Sequence, residues 1–573
     1  MKKTITILLA VVMIVGLLAG CGGGGTNPTD PPKTGNPYDE VLTELKLPLV
    51  PEGEEVTLTI GVPDNIAIPD YETNKYTLWL EEQTGINLEF VRFTDGAGSA
   101  DYLQKLSLMK VGGQKLPDII WGINSNDDTT IKDLGEEGVF ADLTYLIESY
   151  APTYKAKLAE ADASLQELVA KSGVAPDGGF YGMPKTGTKG YDSAYSFMWI
   201  NEKWLKKVGK EIPTTLDELY DVLEAFKTQD PNGNGIQDEI PMAGLHHNLT
   251  TYIASAFLYH NPYRWLNAED GEIYASVTSD EYRQALIVLN DMYNKGYITS
   301  ESAYVESYAD WKAFIQPSAH AEDLVNVVGI FTSNPVLSTN KGDLRFLEYV
   351  AMTELDAETD KGGWYVYNQP GVQWTTFITT DCPDEKKPLA MQLIDFMYSD
   401  EAVARSRHGE YGVDWQLVEG KSFETAETGE RIIDTSIGDG KAFTEGNRTW
   451  NRTGSNIGTN KNQTAAPVAT DNVWQAHSDK VTAPLREYIF EVDTPEEVIS
   501  SLFYNEEEQE VYDECWTLLD ECYRSNRAKF MVGILNPNND ADWNKYLTEM
   551  ENLGLSRLLE EACQPAYDRM NGK

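Results

Sequence analysis

Positive charge is scarce in this chain: 46 Lys and Arg residues stand against 91 Asp and Glu residues, which gives a formal net charge of −45. Nucleic-acid phosphates and anionic lipid would repel such a surface, so the sequence excludes both as broad resting partners. Apolar residues make up 41% of the chain, which is enough for a sizeable core. The composition therefore indicates a folded acidic body rather than a disordered acidic chain.

Cysteine is also scarce, with five residues in the chain. The sequence contains no CxxC pair, no HExxH, no GxSxG and no P-loop, so zinc, redox and common hydrolase centres have no motif to support them. Cys515 and Cys522 are seven positions apart on one predicted helix, about 10.5 Å along its axis, which is too far for a disulfide. We expect buried thiols, or one pair that involves Cys382 or Cys563.

The first twenty residues have the layout of a secretory signal, with Lys2 and Lys3 before a short apolar run. Small residues directly before Cys21 are similar to a bacterial lipobox, which predicts cleavage before Cys21 and lipid attachment to it. Residues 21–50 are polar and rich in Gly and Pro, which predicts a flexible tether. We therefore expect a protein held on the outer face of the cell membrane by lipid alone. An uncleaved anchor and an ordinary soluble signal peptide are the alternatives.

Strand and helix patterns alternate after this tether. Apolar alternation predicts strands at 55–62, 86–93 and 118–122, and apolar faces predict helices at 76–85 and 100–109 between them. A strand–helix–strand–helix–strand order is typical of an α/β fold with a parallel sheet and helices on its faces.

Ligands of such sheets bind at the carboxyl ends of the strands. Asp64 and Asn65 follow the first predicted strand, and Trp121 and Asn126 lie at the end of the third. These four residues are candidate ligand contacts.

Aromatic residues are frequent, with 13 Trp and 31 Tyr. Flat aromatic faces stack on sugar rings, while a few polar groups orient the hydroxyls. Trp199, Trp374 and Trp415 lie in strand-like or motif segments and join Trp121 as candidates, although core packing is the commoner role of tryptophan. The adjacent His246 and His247 are interpreted as loop residues, because neighbouring side chains diverge.

One stretch, 230–241, has the spacing of a calcium loop. Oxygen-bearing side chains recur around Gly235, at the turn position, and a backbone carbonyl is available at Ile236; the candidate ligands are Asp230, Asn232, Asn234, Ile236, Asp238 and Glu239. Position 12, where an EF-hand carries a bidentate Glu, is Pro241. The alternative is a solvated turn rich in Asn and Gly. The loop follows a predicted helix and has no second copy, which favours a structural ion over a sensor.

Several motifs, in this order, resemble extracellular solute-binding proteins of family 1, and in particular the LipO-like lipoprotein branch that is similar to calcium-containing alginate-binding proteins. They are the lipobox, Tyr-Gly-Met-Pro at 181–184, Trp-Ile-Asn-Glu-Lys-Trp-Leu at 199–205, the calcium run, Gly-Glu-Tyr-Gly-Val-Asp-Trp at 409–415 and Gln-Pro-Ala-Tyr-Asp-Arg at 564–569.

The resemblance implies a two-lobe periplasmic-binding fold of type II with a hinge and a helical C-terminal part. The expected organisation is a signal peptide at 1–20, the tether at 21–50, mainly lobe 1 at 51–190, mainly lobe 2 with the calcium loop at 191–370, and segments shared by both lobes at 371–573. It also implies a structural calcium ion on the residues named above.

The function implied by the resemblance is capture of a carbohydrate, without chemistry, for the permease subunits of an ABC importer. We expect a monomer. Two alternatives remain open: an extracellular polysaccharide-degrading enzyme, since carboxylate pairs are abundant, and a surface lipoprotein for carbohydrate adhesion or sensing. With 91 acidic residues, however, neighbouring carboxylates carry little information.

Overall fold

The computed structural model describes residues 41–572 except 66–67, 94–99, 126–127, 162, 176–177, 187–196, 261–264, 300–325, 334–346, 358–361, 364–371, 426–431, 439–441, 443–445, 451–455, 458–496, 498, 500, 501 and 503. The signal peptide and residues 21–40 of the expected tether lie outside the described residues. Residues 41–50 are described, and Leu49 and Val50 are buried. These last ten residues of the expected tether therefore belong to the folded body.

Thirteen strands occur in the described part of the chain. In chain order they are β1 (Val56–Pro63), β2 (Ile86–Phe93), β3 (Ile119–Ser125), β4 (Met183–Thr186), β5 (Phe197–Asn201), β6 (Ile240–Ala243), β7 (Leu266–Glu269), β8 (Glu272–Ala275), β9 (Val328–Ser333), β10 (Tyr349–Ala351), β11 (Val372–Ile378), β12 (Gln416–Leu417) and β13 (Ile433–Asp434). They form two main sheets, of order β2-β1-β3-β11-β4 and β10-β5-β9-β6, and two short hairpins.

The helices lie around these sheets and at the C-terminal end of the chain. They are α1 (Lys75–Thr84), α2 (Ala100–Val111), α3 (Asp128–Glu136), α4 (Thr144–Tyr150), α5 (Pro152–Glu160), α6 (Ala163–Gly173), α7 (Glu202–Val208), α8 (Leu216–Thr228), α9 (His246–Ser255), α10 (Asp280–Asn294), α11 (Lys387–Phe396), α12 (Asp400–His408), α13 (Glu506–Met531), α14 (Asp540–Asn552), α15 (Leu555–Arg557) and, after a π-helical turn, α16 (Gln564–Met570). No helix among the described residues is both long and apolar enough to cross a bilayer.

The first sheet confirms the predicted strand–helix order. β1 is parallel to β2 and β3, and the two crossovers are α1 and α2. β11 returns from the late part of the chain and runs antiparallel to β3 and β4. In the second sheet β6 and β9 are parallel, whereas β5 runs antiparallel to β9. Each sheet therefore has one edge where parallel strands end.

Local capping explains where several helices begin. Asn201 accepts a hydrogen bond from the backbone N–H of Trp204 at the start of α7. Thr215 and Glu218 form a capping box at the start of α8. Asn505 and Glu508 form another at the start of α13, which begins at Glu506.

The C-terminal helices share a core with the second sheet. Buried side chains of α13, α14 and the turn before α16 join those of α8, α9 and α10 in one apolar cluster. Segments after 371 thus pack in two places, because β11 belongs to the first sheet. The expected domain boundaries themselves stay a prediction.

All four cysteines after Cys21 are free thiols and are buried; they are Cys382, Cys515, Cys522 and Cys563. Of the two expectations, the structure has buried thiols. Cys515 and Cys522 lie on the single helix α13.

Candidate functional site

Two of the candidate ligand residues follow β1. The register of β1 against β3 brings the end of β1, and hence Asp64 and Asn65, to the same edge as the end of β3. The Asp64 carboxylate accepts a hydrogen bond from Nε of Arg92 at 2.9 Å, and both side chains are roughly half exposed. Such a solvated pair contributes little to stability, so Asp64 has an accessible acceptor. Asn126 lies outside the described residues.

Trp121, on β3, is buried in an aromatic cluster. Its ring is 1% exposed and meets the Trp450 ring at 79°, with 5.3 Å between the centroids. Trp450 also contacts Tyr71, Tyr76 and Phe90 edge-to-face, which is a favoured geometry for aromatic pairs. Trp121 therefore has an evident packing role, and ligand contact by it stays a prediction.

Trp450 lies in a polar stretch rich in Gly and Asn, where nothing in the sequence marks it as a structural residue. In the structure its indole N–H donates to Thr77 Oγ1 at 2.9 Å. The neighbouring backbone is held by Asn74, whose amide donates to the Asn447 side chain and to the Thr449 carbonyl, at 3.0 Å each. Residues 447–450 thus fasten a late segment onto α1 of the first lobe.

Trp374, on β11, lies at the same edge of the first sheet, since it pairs with Ser125 at the end of β3. It lines a small cavity with Lys132, Tyr181 and five other residues: Ile131, Ser172, Gly173, Ala175 and Gly182. The Lys132 ammonium is 6% exposed and lies 3.2 Å from Asp133 and 3.3 Å from Glu136. Burial opposes its charge, but these two carboxylates outweigh that effect and raise the pKa of Lys132.

Trp199 lies on β5 of the second sheet, opposite Phe331 and Ala351, and is 1% exposed. Trp415 is fully buried, and its indole N–H donates to the Gly409 carbonyl at 2.9 Å. It packs in a small separate cluster with Ala404, Ile432 and Ile433. The structure therefore brings Asp64, Asn65 and Trp374 to one sheet edge. The prediction that Trp121 lies at the end of its strand is wrong, because β3 continues to Ser125. Trp199 and Trp415 lie elsewhere. Ligand contact by each stays a prediction.

The stretch 230–239 begins two residues after α8 and leads into β6, so it is fastened to a helix end as the sequence predicts. The backbone has positive φ at Asp230, Gly233 and Gly235, of 44°, 78° and 75°. Asp230 Oδ1 accepts N–H bonds from Gly233 at 3.0 Å and Gly235 at 3.4 Å. Lys207 of α7 donates to the Asp230 carbonyl at 2.5 Å. These contacts fix the loop's curvature.

The oxygen-bearing side chains of this loop converge. The amides of Asn232 and Asn234 both donate to Asp238, at 2.9 and 3.1 Å. Both carboxylate oxygens of Glu239 are buried and have no hydrogen-bond partner in the described part of the chain. Burial raises the pKa of Glu239. The nearby backbone N–H groups of Glu239 and Asn232 act in the opposite direction, the negative charges of Asp230 and Asp238 act in the same direction as burial, and the net pKa is raised.

A divalent cation would relieve this electrostatic cost, and calcium prefers an all-oxygen donor set of this kind. Among the described residues, no group of three or more His, Cys, Asp or Glu side chains is arranged to hold a metal ion. A site in this loop therefore needs the Asn amide oxygens and the Ile236 carbonyl as well as the carboxylates. With those donors, the residues present fit calcium.

The second sheet has a feature that sequence reasoning missed. His246 is the first residue of α9, directly after the end of β6, and is fully buried. The expectation that His246 and His247 lie in a loop is wrong, because both belong to this helix. His246 follows the end of β6 by three residues, but none of the predicted strands covers β6, so no signal in the sequence marks this position.

The sequence profile of a family described as bacterial extracellular solute-binding protein matches residues 65–404, which is more than half of the chain. The chain belongs to this family.

Two curated proteins are similar to this chain in sequence. The fructooligosaccharide ABC transporter substrate-binding protein FusA of Streptococcus pneumoniae is 28% identical over 324 residues, 55% of this chain and 55% of FusA. Lipoprotein LipO of Bacillus subtilis is 29% identical over 237 residues, 40% of this chain and 42% of LipO. The chain thus matches about half the length of these relatives.

Solved structures match nearly the whole chain. A human-milk-oligosaccharide (HMO) binding, ABC-transporter-associated solute-binding protein from Bifidobacterium longum infantis has a TM-score of 0.70 at 18% identity, over 91% of this chain and 99% of its own. FusA in complex with kestose has 0.63 at 23%, over 90% and 99%. The alginate-binding protein AlgQ2 without calcium ion has 0.58 at 19%, over 90% and 99%. These matches confirm the predicted α/β, two-lobe periplasmic-binding fold.

Proposed function

We propose that this solute-binding protein captures an oligosaccharide between its two lobes and presents it to the permease subunits of an ABC importer, without chemistry. The observation that carries this is the fold, which follows solved carbohydrate-binding members of the family over about nine-tenths of the chain. The acidic net charge of −45 disfavours nucleic acid as a partner and is compatible with a neutral ligand.

The edge of the first sheet offers the groups that sugar recognition needs. Asp64 has a half-exposed carboxylate for hydroxyl groups. Trp374 and Lys132 both line the small cavity described above. Apolar surface with a few oriented polar groups is the usual composition of a small-ligand site. In this proposal Trp374 supports the sugar ring, and Asp64 and Lys132 orient its hydroxyls.

A thermal-shift screen tests the proposal with kestose, lacto-N-tetraose, maltotriose and trigalacturonate, each over a wide concentration range. A ligand present at 100 times its Kd stabilises the folded state by about 2.7 kcal/mol, or roughly 2 °C for a chain of this length. Trp374→Phe should weaken binding of the sugar that stabilises. Trp204→Phe is the matched control, because Trp204 is also a buried indole but packs on Phe226 in the second lobe.

The enzyme alternative gives a different outcome in the same samples. A binding protein returns its ligand unchanged, whereas a hydrolase or lyase releases shorter products during long incubation. Chromatography of each sugar after incubation separates the two functions, and product formation would reject capture without chemistry. An adhesion or sensing lipoprotein would bind without requiring permease genes, so loss of sugar uptake on deletion separates the importer from it.

We further propose that the loop 230–239 holds a structural calcium ion. The donors would be the side chains of Asp230, Asn232, Asn234, Asp238 and Glu239 and the carbonyl of Ile236. The unpartnered, buried carboxylate of Glu239 supports this. The ion would supply positive charge to three carboxylates that otherwise repel each other, and would so stabilise the entrance to β6.

Chelation of calcium should therefore lower the melting temperature while the protein stays folded, and Asp230→Ala should lower it without any further effect of chelator. Gln237→Ala is the control within the same loop, since Gln237 lies outside the donor set. An equal response of Asp230→Ala and wild type to chelator would contradict the assignment. A strong change in sugar affinity at unchanged stability would instead make the ion regulatory.

Lipid attachment to Cys21 is part of the same proposal. LipO is named a lipoprotein, and Cys21 follows small residues at the end of the signal-like segment. Fatty-acid labelling of cells that express the chain should tag the wild type and not Cys21→Ala. Release of the variant into the medium, with sugar binding intact, would place the lipid as an anchor only. The purified soluble part should be a monomer in sedimentation.

A further inference from the structure

His246 lies at the edge of the second sheet where the parallel strands β6 and β9 end. Gly244 and Leu245 connect β6 to it. The backbone N–H of Leu245 donates to Thr332 Oγ1 at 3.1 Å, and this bond links the segment to the end of β9. Open α/β sheets bind their ligands beyond such strand ends. His246 therefore follows the strand end beyond which such sheets bind their ligands, and its side chain is buried in the free protein.

The imidazole of His246 is fully buried, and neither of its nitrogens has a hydrogen-bond partner within the described ranges. Buried polar groups are almost always paired, so this exception needs an explanation. His260 gives the comparison, because it is equally buried and both of its nitrogens are paired, with Ser276 Oγ at 3.1 Å and Tyr523 OH at 3.3 Å. The chain thus satisfies a buried histidine that has only a packing role.

The protonation state of the His246 ring limits which ligand groups could form hydrogen bonds with both of its nitrogens. Burial lowers the pKa of His246 well below its usual value, and the positive charge of Arg527 and the neighbouring His247 act in the same direction. The ring is therefore neutral at physiological pH and carries one N–H donor and one acceptor nitrogen. Hydroxyl groups both donate and accept, so a polyhydroxyl ligand can pair both nitrogens, whereas a metal ion or a carboxylate would pair only one.

We propose that His246 is a specificity-determining ligand residue, whose imidazole donates to one sugar hydroxyl and accepts from another. This inference rests on the proposed sugar-binding function and names the contact that the second lobe contributes to it. Its two nitrogens have no partner among the described residues of the free protein and would be paired in the complex, so this residue would stabilise the complex relative to the free protein. An internal water is the other possible occupant, and it would give no such difference.

His246→Phe separates these two possibilities, because removal of an unpaired polar ring has opposite effects on folding and on binding. Without sugar, the variant should melt at the same temperature as wild type or higher. Affinity for the sugar that the thermal-shift panel identifies should fall at least tenfold, or about 1.4 kcal/mol. His246→Gln keeps a donor and an acceptor and should recover part of that loss.

His260→Phe is the matched control: it removes two hydrogen bonds and should lower the melting temperature while sugar affinity is unchanged. A second readout uses wild-type protein labelled with ¹⁵N in its histidines. Addition of the sugar should shift the His246 imidazole resonances and leave those of His260 in place. This measurement decides the question also if His246→Phe fails to fold.

Undiminished affinity of a folded His246→Phe, or unshifted His246 resonances at saturating sugar, would overturn the inference and leave an internal water as the occupant. The parent proposal would still stand in that case, since wild type binds the sugar. If wild type binds none of kestose, lacto-N-tetraose, maltotriose and trigalacturonate, the proposed function falls and this inference falls with it.

Discussion

Asp395 allows a quantitative test of how burial shifts a carboxylate pKa in the first lobe. It caps a helix that is distant from it in sequence. Its two carboxylate oxygens accept the backbone N–H groups of Thr153 at 3.0 Å and Tyr154 at 2.7 Å, in the first turn of α5. Ala151, at the N-cap position itself, has no side chain that could do so. Asp395 on α11 is fully buried, and burial raises its pKa to about 6 despite these bonds.

The size and sign of its contribution follow from linkage. The folded state holds the Asp395 proton more tightly than the unfolded chain, whose aspartates titrate near 3.8. This group therefore adds stability that is fully present below about pH 4 and is lost as the pH rises through about 6. A shift of about two pKa units corresponds to about 3 kcal/mol, or roughly 2–3 °C for a chain of this length.

Asp395→Asn should abolish this dependence, because an amide does not titrate. Urea unfolding at several pH values between 4 and 7.5 gives the free energy of unfolding for wild type and variant. All other groups titrate alike in both proteins, so wild type minus variant should fall by about 3 kcal/mol across this range. Parallel pH profiles would refute the argument from burial.

Asp381 provides a control of opposite sign. Burial opposes its ionisation, but hydrogen bonds from the backbone N–H of Leu116 at 2.8 Å and from Lys110 at 2.7 Å outweigh burial and lower its pKa. Its contribution is therefore present at neutral pH and lost as the pH falls. The difference between wild type and Asp381→Asn should therefore stay nearly constant between pH 4 and 7.5, where that for Asp395→Asn decreases, and should fall as the pH is lowered below the unfolded value near 3.8.

Three further outcomes follow from the packing. Trp450→Ala should lower the free energy of unfolding in urea by about 3–5 kcal/mol, because it leaves a large cavity. Trp450→Phe should lose mainly the hydrogen bond to Thr77, about 1 kcal/mol. Equal losses for the two variants would contradict this. Arg569→Leu should cost about 3 kcal/mol, because Glu508 is 6% exposed in its side chain and would lose its charge partner; an unchanged unfolding midpoint would contradict it. The thiols after Cys21 should react with Ellman's reagent only on unfolding, because burial raises their pKa values.

Much of the scaffold could be predicted because its signals are local. β1, β2 and β3 begin within one residue of the predicted starts, since apolar alternation reports directly on a half-buried strand. The capping interactions at Asn201 and Thr215 span three residues and could be recognised in the same way. The capping box of Asn505 and Glu508 at the start of α13 is equally local.

The candidate ligand residues were harder to predict, because a side chain's role depends on what distant sequence covers it. Trp121 is predicted to end a strand, but β3 continues to Ser125, and the Trp121 ring is covered by Trp450, which lies more than 300 positions later. Trp415 belongs to a family-like motif, but its indole is bonded within that motif. Periodicity identifies the sheet edge and says nothing about such long-range contacts.

The calcium loop could be predicted from local sequence, whereas the environment of His246 depends on long-range contacts. All proposed calcium donors lie within ten positions, so spacing alone predicts the loop, and the buried carboxylate of Glu239 is the one feature that required coordinates. His246 is the reverse case: its sequence neighbours are unremarkable for a loop, and its significance comes from burial by elements remote in the chain. In both, the informative observation is a buried polar group without a partner among the described residues, because most buried polar groups are paired and an exception needs an explanation. The structure therefore adds most to the sequence by identifying such buried polar groups, because the sequence alone does not show burial.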